Sequence, residues 1–311
     1  MKALEKLLQD ATAGDPMTSL KWTRKTSRSL AGELRQKGFK VSHNTVARLA
    51  HELEYTLRSN RKRLSRTQNA GRDEQMRHLT RVRNWFLGRK LPVISVDCKK
   101  KELVGSFRNP GRTLRREALD VLATDFPRDA KGKGIPYGIY DVSHNEGYLI
   151  LGVSHETAEF VIAAIRQWWL EIGRIRYQGR HQLLIEADAG GANACDSWLW
   201  KVGLQSLADE FHLAITVTHY PAGASKWNPV EHRMFSPISA NWAGTPLISY
   251  ETMLKFIRTS KTTTGFRCLA KFDRRKYQTK SKVSAEVRAN LNLHLHKLFP
   301  QWNYSIKPHA V

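Results

Sequence analysis

Three carboxylates occupy positions from which a folded chain can bring them together. Asp97 closes an apolar run in SVDCKKKE, and Asp188 closes another in IEADAGGAN. Glu231 lies in SKWNPVEHRMF, two residues after a proline that favours the first turn of a helix. Convergent Asp and Glu side chains offer hard oxygens, which suit magnesium, an ion that keeps several waters and needs few protein ligands. Two such ions can clamp the attacking and leaving oxygens of an in-line displacement at phosphorus. The pattern points to metal-dependent phosphodiester chemistry with Asp97, Asp188 and Glu231 as the ligands. Taken singly, each acid also has an ordinary structural role: ending a strand, preceding the Gly190–Gly191 turn, or offsetting a helix N-terminus. Their joint placement favours the catalytic reading.

The composition is consistent with such a substrate. The chain has 311 residues with 51 Lys and Arg against 28 Asp and Glu, a net charge of +23. A field of that sign attracts polyanions, nucleic acid first and an anionic membrane surface second. A hydrophobic content of 41% fills a real core, and no apolar run approaches the ~20 residues of a membrane span. MKALEKLLQD is too charged for a signal peptide. Cys98, Cys195 and Cys268 are spaced for neither a disulfide framework nor a zinc motif, which fits a reducing, cytoplasmic setting.

The elements that must position these groups fall into three parts: residues 1–63, 64–91 and 92–311. Over half of the positive surplus falls in residues 1–90. There, SLAGELRQK (29–37) reads as a short helix with Leu30 and Leu34 inward, ended by Gly38. Ser42 is a good N-cap for HNTVARLAHEL, in which Val46, Leu49, Ala50 and Leu53 recur at helical spacing. Two helices around a tight turn make a small all-α helix-turn-helix region. Its second helix would present His43, Asn44, Thr45 and Arg48 to the major groove. Arg61, Lys62 and Arg63, within RSNRKRLSR, suit phosphate contacts. A basic helical pair with a solvated face is the plainer alternative. Residues 64–91 read as a linker and one helix with Leu79, Val82, Trp85 and Phe86 on its apolar face.

From Pro92 the texture is that of strands. Runs at 93–96, 102–107, 137–142 and 148–153, a helix over 155–173, a strand at 183–187, a helix over 197–211 and a strand at 213–218 precede the segment that carries Glu231. Residues 113–134 read as a polar loop, and Glu231 as opening the last helix. The expected fold is α/β, an RNase H-like mixed sheet in the order β-β-β-α-β-α-β-α.

SVDCKKKELVGSFRNPGR, GIPYGIYDVSHNEGYLILGVSHETAEF, LLIEADAGGAN and THYPAGASKWNPVEHRMFS resemble the Rhodopirellula-type DDE transposase domain of the ISAzo insertion-sequence family. The likeness runs from about Leu20 to Tyr304. It implies an RNase H-like core with a DDE triad on Asp97, Asp188 and Glu231, using Mg²⁺ or Mn²⁺ in its place. It also implies strand nicking at terminal inverted repeats, transfer of the 3′-hydroxyl into target DNA, and action as a homo-oligomer on DNA. Cys98 stands where the family usually has Thr, and Ala189 where it has Gly. Family chains extend beyond Met1, so the resemblance implies a shortened copy. Two alternatives accompany it: a non-catalytic DNA-binding repressor, and an RNase H-like host nuclease.

Other residues have weaker assignments. Lys99, with Lys100 and Lys101, suits substrate phosphates or a solvated strand. Lys226, His232 and Arg233 flank Glu231 and suit the scissile phosphate. Trp227 suits stacking on a frayed base or, more ordinarily, burial. Glu186 shares a strand face with Asp188, where it would raise the Asp188 pKa or serve as another ligand. KFDRRKYQTKSK (271–282) suits tracking along a DNA backbone, or a solvated loop.

Overall fold

The computed structural model describes residues 1–10, 13–14, 21–22, 25–56, 71–224, 227–279 and 282–310, and only the backbone course at 9–10, 13–14 and 21–22. The chain divides into two compact units, Met1–Ser65 and Arg66–Val311.

In the first unit, helices α1 (Lys2–Asp10), α2 (Ser27–Gln36) and α3 (His43–Glu52) surround one small apolar cluster. Leu4, Leu7 and Leu8 of α1 pack with Leu30, Ala31 and Leu34 of α2 and Val46 of α3. The caps follow from side-chain chemistry. The Thr26 hydroxyl accepts from the Ser29 amide at 3.1 Å, and the Ser42 hydroxyl from the Thr45 amide at 3.1 Å, each satisfying a donor that the helix leaves orphaned. Gly38, at φ +87°, makes the left-handed turn after α2 that a side chain would resist. Helix α1 adds to the two helices expected from the sequence, its Leu4, Leu7 and Leu8 recurring at helical spacing.

In the second unit, among the described residues, nine strands form one mixed sheet. They are β1 (Val93–Cys98), β2 (Glu102–Val104), β3 (Gly132–Asp141), β4 (Glu146–Gly152), β5 (Gln182–Asp188), β6 (Ala214–Tyr220), β7 (Arg267–Asp273), β8 (Leu293–Leu295) and β9 (Asn303–Ile306). The spatial order is β8-β9-β6-β5-β1-β3-β4-β7. Strand β1 runs antiparallel to β3 and parallel to β5; β3 and β4 form an antiparallel hairpin; β5 and β6 are parallel. The five central strands β4-β3-β1-β5-β6 thus have the RNase H-like topology: a three-stranded antiparallel meander continued by two parallel crossover strands.

Period-2 alternation divides the side chains between two faces. Ile94, Val96, Tyr137, Ile139, Tyr148 and Ile150 pack against α5 (Ala158–Trp168) and α6 (Trp198–Phe211). On the opposite face, Tyr140, Leu149 and Leu151 meet a π-helical turn (Val230–Phe235) and the helices α7 (Ser236–Asn241) and α8 (Tyr250–Arg258). Helix α4 (Arg72–Gly88) covers the neighbouring part of that face through Phe86, which packs with Val93 and Leu184.

Several expectations change here. The strand expected over 102–107 is only the three residues of β2, pairing with the start of β3 off the main sheet path. It is not one of the five central strands. Strand β3 begins at Gly132, inside the segment read as loop. Trp85 is 43% exposed rather than inward, its ring under the Arg89 guanidinium at 4.0 Å. Glu231 opens a π-helical turn that leads into α7, and α8 follows later, so it does not open the last helix.

Candidate active site

Asp97 and Asp188 end adjacent parallel strands. The β1–β5 register sets Ser95 against Glu186 and Val96 against Ala187, so the two aspartates come next, on the same face of the sheet. Glu231 reaches that face from the first turn of Val230–Phe235. The Asp97 and Glu231 side chains are hydrogen-bonded to each other, and Asp97 also feels the Asp188 charge. Two carboxyl groups in that contact need a shared proton or a cation between them. The structure therefore brings the three sequence-predicted acids together at one end of the sheet, and Asp97 joins the other two.

Buried polar side chains that the sequence reading missed hold this geometry. The Val230 amide donates to the Ser95 hydroxyl at 3.1 Å, and the Ser95 hydroxyl donates to Asn228 Oδ1. Asn228 Nδ2 then donates to Asp188 Oδ1 at 3.2 Å. One chain of hydrogen bonds thus links β1, β5 and the turn that carries Glu231. Asn228 and Ser95 are both fully buried, so each bond is made in a medium that penalises its loss. A second chain supports the Asp188 backbone. His219 Nδ1 lies 3.0 Å from the Asp188 carbonyl and must donate to it. Nε2 of the neutral ring then accepts from the Tyr304 hydroxyl at 3.3 Å, and that hydroxyl accepts from Trp200 Nε1 at 2.9 Å. Burial pushes the His219 imidazole down to about 4, so the ring is neutral near pH 7. Ser95 was detectable in principle as the strand neighbour two residues before Asp97. Nothing local marks His219.

Electrostatics make the site a place for positive charge. Burial, with the Asp188 carboxylate beside it, pushes Asp97 up to about 8, against the opposing hydrogen bond from the Cys98 amide at 2.7 Å. Burial raises Asp188 too, the Glu231 charge adding to it while Asn228 opposes. Several neighbouring cations are engaged elsewhere. Arg83 pairs with Glu186, Lys99 with Glu102 at 2.5 Å, and Lys101 with Glu156 at 3.2 Å. Among the described residues no three His, Cys, Asp or Glu side chains are already closed around one ion-sized point. The pairwise, oxygen-only convergence fits an ion that retains waters and takes one or two carboxylates, as magnesium does.

A pH dependence follows from Asp97. Its carboxyl titrates near 3.8 ordinarily and near 8 in the fold, so between these values the native state holds a proton that the unfolded chain has released. That contribution is present at low pH and is lost as pH rises through about 8. In chelator, the melting temperature of the wild type is expected to fall between pH 5 and pH 8 more steeply than that of Asp97→Asn. Parallel slopes would remove Asp97 as the cause.

The remaining expected site residues distribute as follows. His43, Asn44 and Arg48 are exposed on α3, with Arg48 in an exposed pair with Glu52 at 2.7 Å, while the Thr45 hydroxyl contacts Ser42 Oγ at 3.0 Å. Arg61, Lys62, Arg63 and Lys226 lie outside the described residues. Lys99 is not a free phosphate ligand. Besides Glu102 it faces the Trp242 ring at 4.6 Å, and its side chain is 10% exposed. Arg233 is exposed, and its charge is felt by the Tyr140 hydroxyl, which donates to Asn145 Oδ1 at 2.9 Å. Trp227 is 56% exposed, against the expectation of burial. Glu186 is no alternative ligand and does not raise Asp188. It is fully buried and takes Arg83 Nε at 2.8 Å and Nη2 at 2.7 Å.

The family model described as the Rhodopirellula transposase DDE domain matches residues 3–308. The chain belongs to this DDE transposase family. No curated protein matches it. Solved structures similar to this DDE transposase chain include three Mos1 complexes. One is the Mos1 transposase paired-end complex with the left transposon end, at 16% identity, covering 82% of this chain and 69% of that one, with a TM-score of 0.46. Another is the Mos1 strand transfer complex, at 16% identity, with 82% and 68% covered and a TM-score of 0.44. The third is the Mos1 mariner paired-end complex with Mn, at 15% identity, with 82% and 68% covered and a TM-score of 0.45. Among the described residues, no helix of the DDE transposase chain is long and apolar enough to cross a membrane.

Proposed function

We propose that this chain nicks DNA at the ends of its element and joins the freed 3′-hydroxyl to target DNA, using Mg²⁺ or Mn²⁺. The carrying observation is the convergence of Asp97, Asp188 and Glu231 from two strand ends and a helical turn. Divalent cations bound there would stabilise the attacking and leaving oxygens of the in-line displacement. The chain's own residues supply the rest. Asp97, Asp188 and Glu231 hold the cations, and Ser95, Asn228 and His219 fix the carboxylates before substrate arrives. Preset orientation of this kind spares reorganisation during reaction. Trp227, exposed four residues before Glu231, suits stacking on a base unpaired at the cleaved end.

End recognition is assigned to α3. His43, Asn44 and Arg48 project from the helix whose Val46 is buried, and the Arg48–Glu52 pair is exposed enough to yield to a guanine or a phosphate. Arg61, Lys62, Arg63, Lys226 and Arg233 extend the phosphate-binding set. Synapsis of two ends calls for a homo-oligomer on DNA.

The test is a cleavage assay with duplexes carrying the element's terminal inverted repeats. The expected result is Mg²⁺-dependent nicking that leaves a 3′-hydroxyl, retained with Mn²⁺ and lost in chelator, followed by joining to a second duplex. Preferential cutting of an RNA–DNA hybrid, or tight salt-sensitive DNA binding without any cutting, would overturn this reading.

A further inference from the structure

Two cations meet over one indole just past the loop that follows Asp188. Trp198 opens α6, and the short helix α9 (Ala285–Ala289) brings Arg288 to it. Lys201 Nζ lies 4.8 Å from the centre of the Trp198 ring, and the Arg288 guanidinium carbon 5.2 Å from it. The same ammonium stands 5.3 Å from the ring of Tyr304, which is fully buried on β9. All three distances are within cation–aromatic reach. The cluster adjoins the support of the active site, because the Tyr304 hydroxyl donates to His219, whose ring holds the Asp188 carbonyl.

Local effects work against a cation at Lys201. It stands in the first turn of α6, where the helix dipole disfavours positive charge, and burial lowers its pKa. Among the described residues neither Lys201 nor Arg288 pairs with a carboxylate. The groups that Lys201 feels offer little: Asp196 is exposed to water, and burial pushes the Cys195 thiol up, keeping it uncharged. Lysine is seldom taken out of water without a partner. Arg83, Lys99 and Lys101 all have carboxylates of their own. The two cations over Trp198 are the ones left to meet an anion from outside the chain.

Resting on the proposed function, we infer that Lys201 and Arg288 contact backbone phosphates of duplex DNA where it passes the Asp188 loop, with the Trp198 indole holding both cations in place. Arg288 offers phosphate oxygens a planar fork and Lys201 a point charge. Contacts of this kind carry no sequence information; they fix the register of a strand. Here they would set the scissile bond against the carboxylates. An exposed carboxylate on α9, Glu286, keeps the patch from being uniformly basic.

The test is equilibrium binding of the full chain, in chelator and across KCl concentrations, to two duplexes of equal length, one with the terminal inverted repeat and one without. Lys201→Gln and Arg288→Gln are each expected to weaken binding about 5–10-fold near 0.1 M salt and to reduce the slope of log affinity against log salt by about one. Lys201→Arg should keep the wild-type slope. A loss confined to the repeat duplex places the element's end on the patch, and an equal loss on both extends it to target DNA. A second measurement needs no variant to fold: acetylation of the wild-type chain should modify Lys201 alone in solution and spare it in the DNA complex. Unchanged slopes in both glutamine variants, or equal acetylation of Lys201 with and without DNA, would overturn the assignment even if the wild type nicks DNA. Reduced slopes in a chain that never cuts would support the patch and instead remove the strand-transfer reading.

Discussion

Asp97→Asn is expected to lower cation-dependent nicking by at least ~10³-fold, with duplex binding in chelator unchanged. The magnitude follows from the site's arrangement. Charge stabilisation by a bound metal supplies several kcal/mol to a phosphoryl displacement, and each 1.36 kcal/mol is tenfold in rate. Asp97 joins Asp188 and Glu231, so its replacement weakens both pairings at once. Asp188→Asn and Glu231→Gln are expected to fall in the same range. Asn228→Ala leaves every acid in place and removes only the amide that orients Asp188, so a loss of about 10–100-fold is expected. Single-turnover nicking at saturating DNA measures all four. If the three acid variants nick like the wild type, the triad is not the catalytic centre. If Asn228→Ala matches them in severity, Asn228 acts on the substrate and not through Asp188.

The acids were legible because strand ends and helix starts can be recognised locally: an apolar run stops, a proline precedes a turn, and a carboxylate stands at the boundary. The cap of α3 was legible for the same reason. Ser42 sits immediately before a helical periodicity and accepts the expected amide. What failed was partner assignment over long separations. Glu186 shares a strand face with Asp188, as the alternation implies, but its carboxylate belongs to Arg83, 103 residues earlier. No strand-face argument can supply that pairing. The partners of Lys99 were hidden likewise: Trp242 lies far from it in the chain, and Glu102 pairs with it at 2.5 Å.

The aromatic and edge-strand errors share another cause. Burial is a weak expectation for any single tryptophan, and Trp85 and Trp227 are both substantially exposed. Strand β7 is hidden by its composition. Cys268 and Ala270 face inward while Arg267, Leu269 and Lys271 face out, a half-exposed edge pattern that reads as a basic segment. Residues 271–273 of the proposed DNA-tracking stretch thus belong to the sheet, and Tyr277 is buried in the core with its hydroxyl on Asp273 at 2.6 Å. Between the strand and Tyr277, Arg274, Arg275 and Lys276 are exposed, and Arg275 is paired with Asp273 at 2.7 Å.

Arg83→Leu is expected to be the most destabilising single change away from the triad, at about 3–5 kcal/mol near pH 8. Arg83 brings two donors from α4 to a carboxylate with no solvent exposure, and the Tyr220 hydroxyl donates to the same group at 3.2 Å. Removing the guanidinium leaves Glu186 charged and uncompensated in the core. The reverse change, Glu186→Leu, should cost less, because the Arg83 side chain is 23% exposed and can turn toward water. The double replacement by leucine should recover most of the loss, since a well-packed apolar pair often matches a buried ion pair. A pH signature separates this account from simple loss of packing. Alone in the core, Glu186 escapes its charge by taking a proton, so the native Arg83→Leu chain binds a proton that the unfolded chain lacks. Its deficit should therefore shrink toward pH 5 and grow toward pH 8, whereas a cavity would cost the same at both. Urea midpoints for the two single variants and the double variant at the two pH values give the full cycle. A pH-independent Arg83→Leu deficit, or a double variant no more stable than Arg83→Leu, would show that packing of α4 on the sheet dominates.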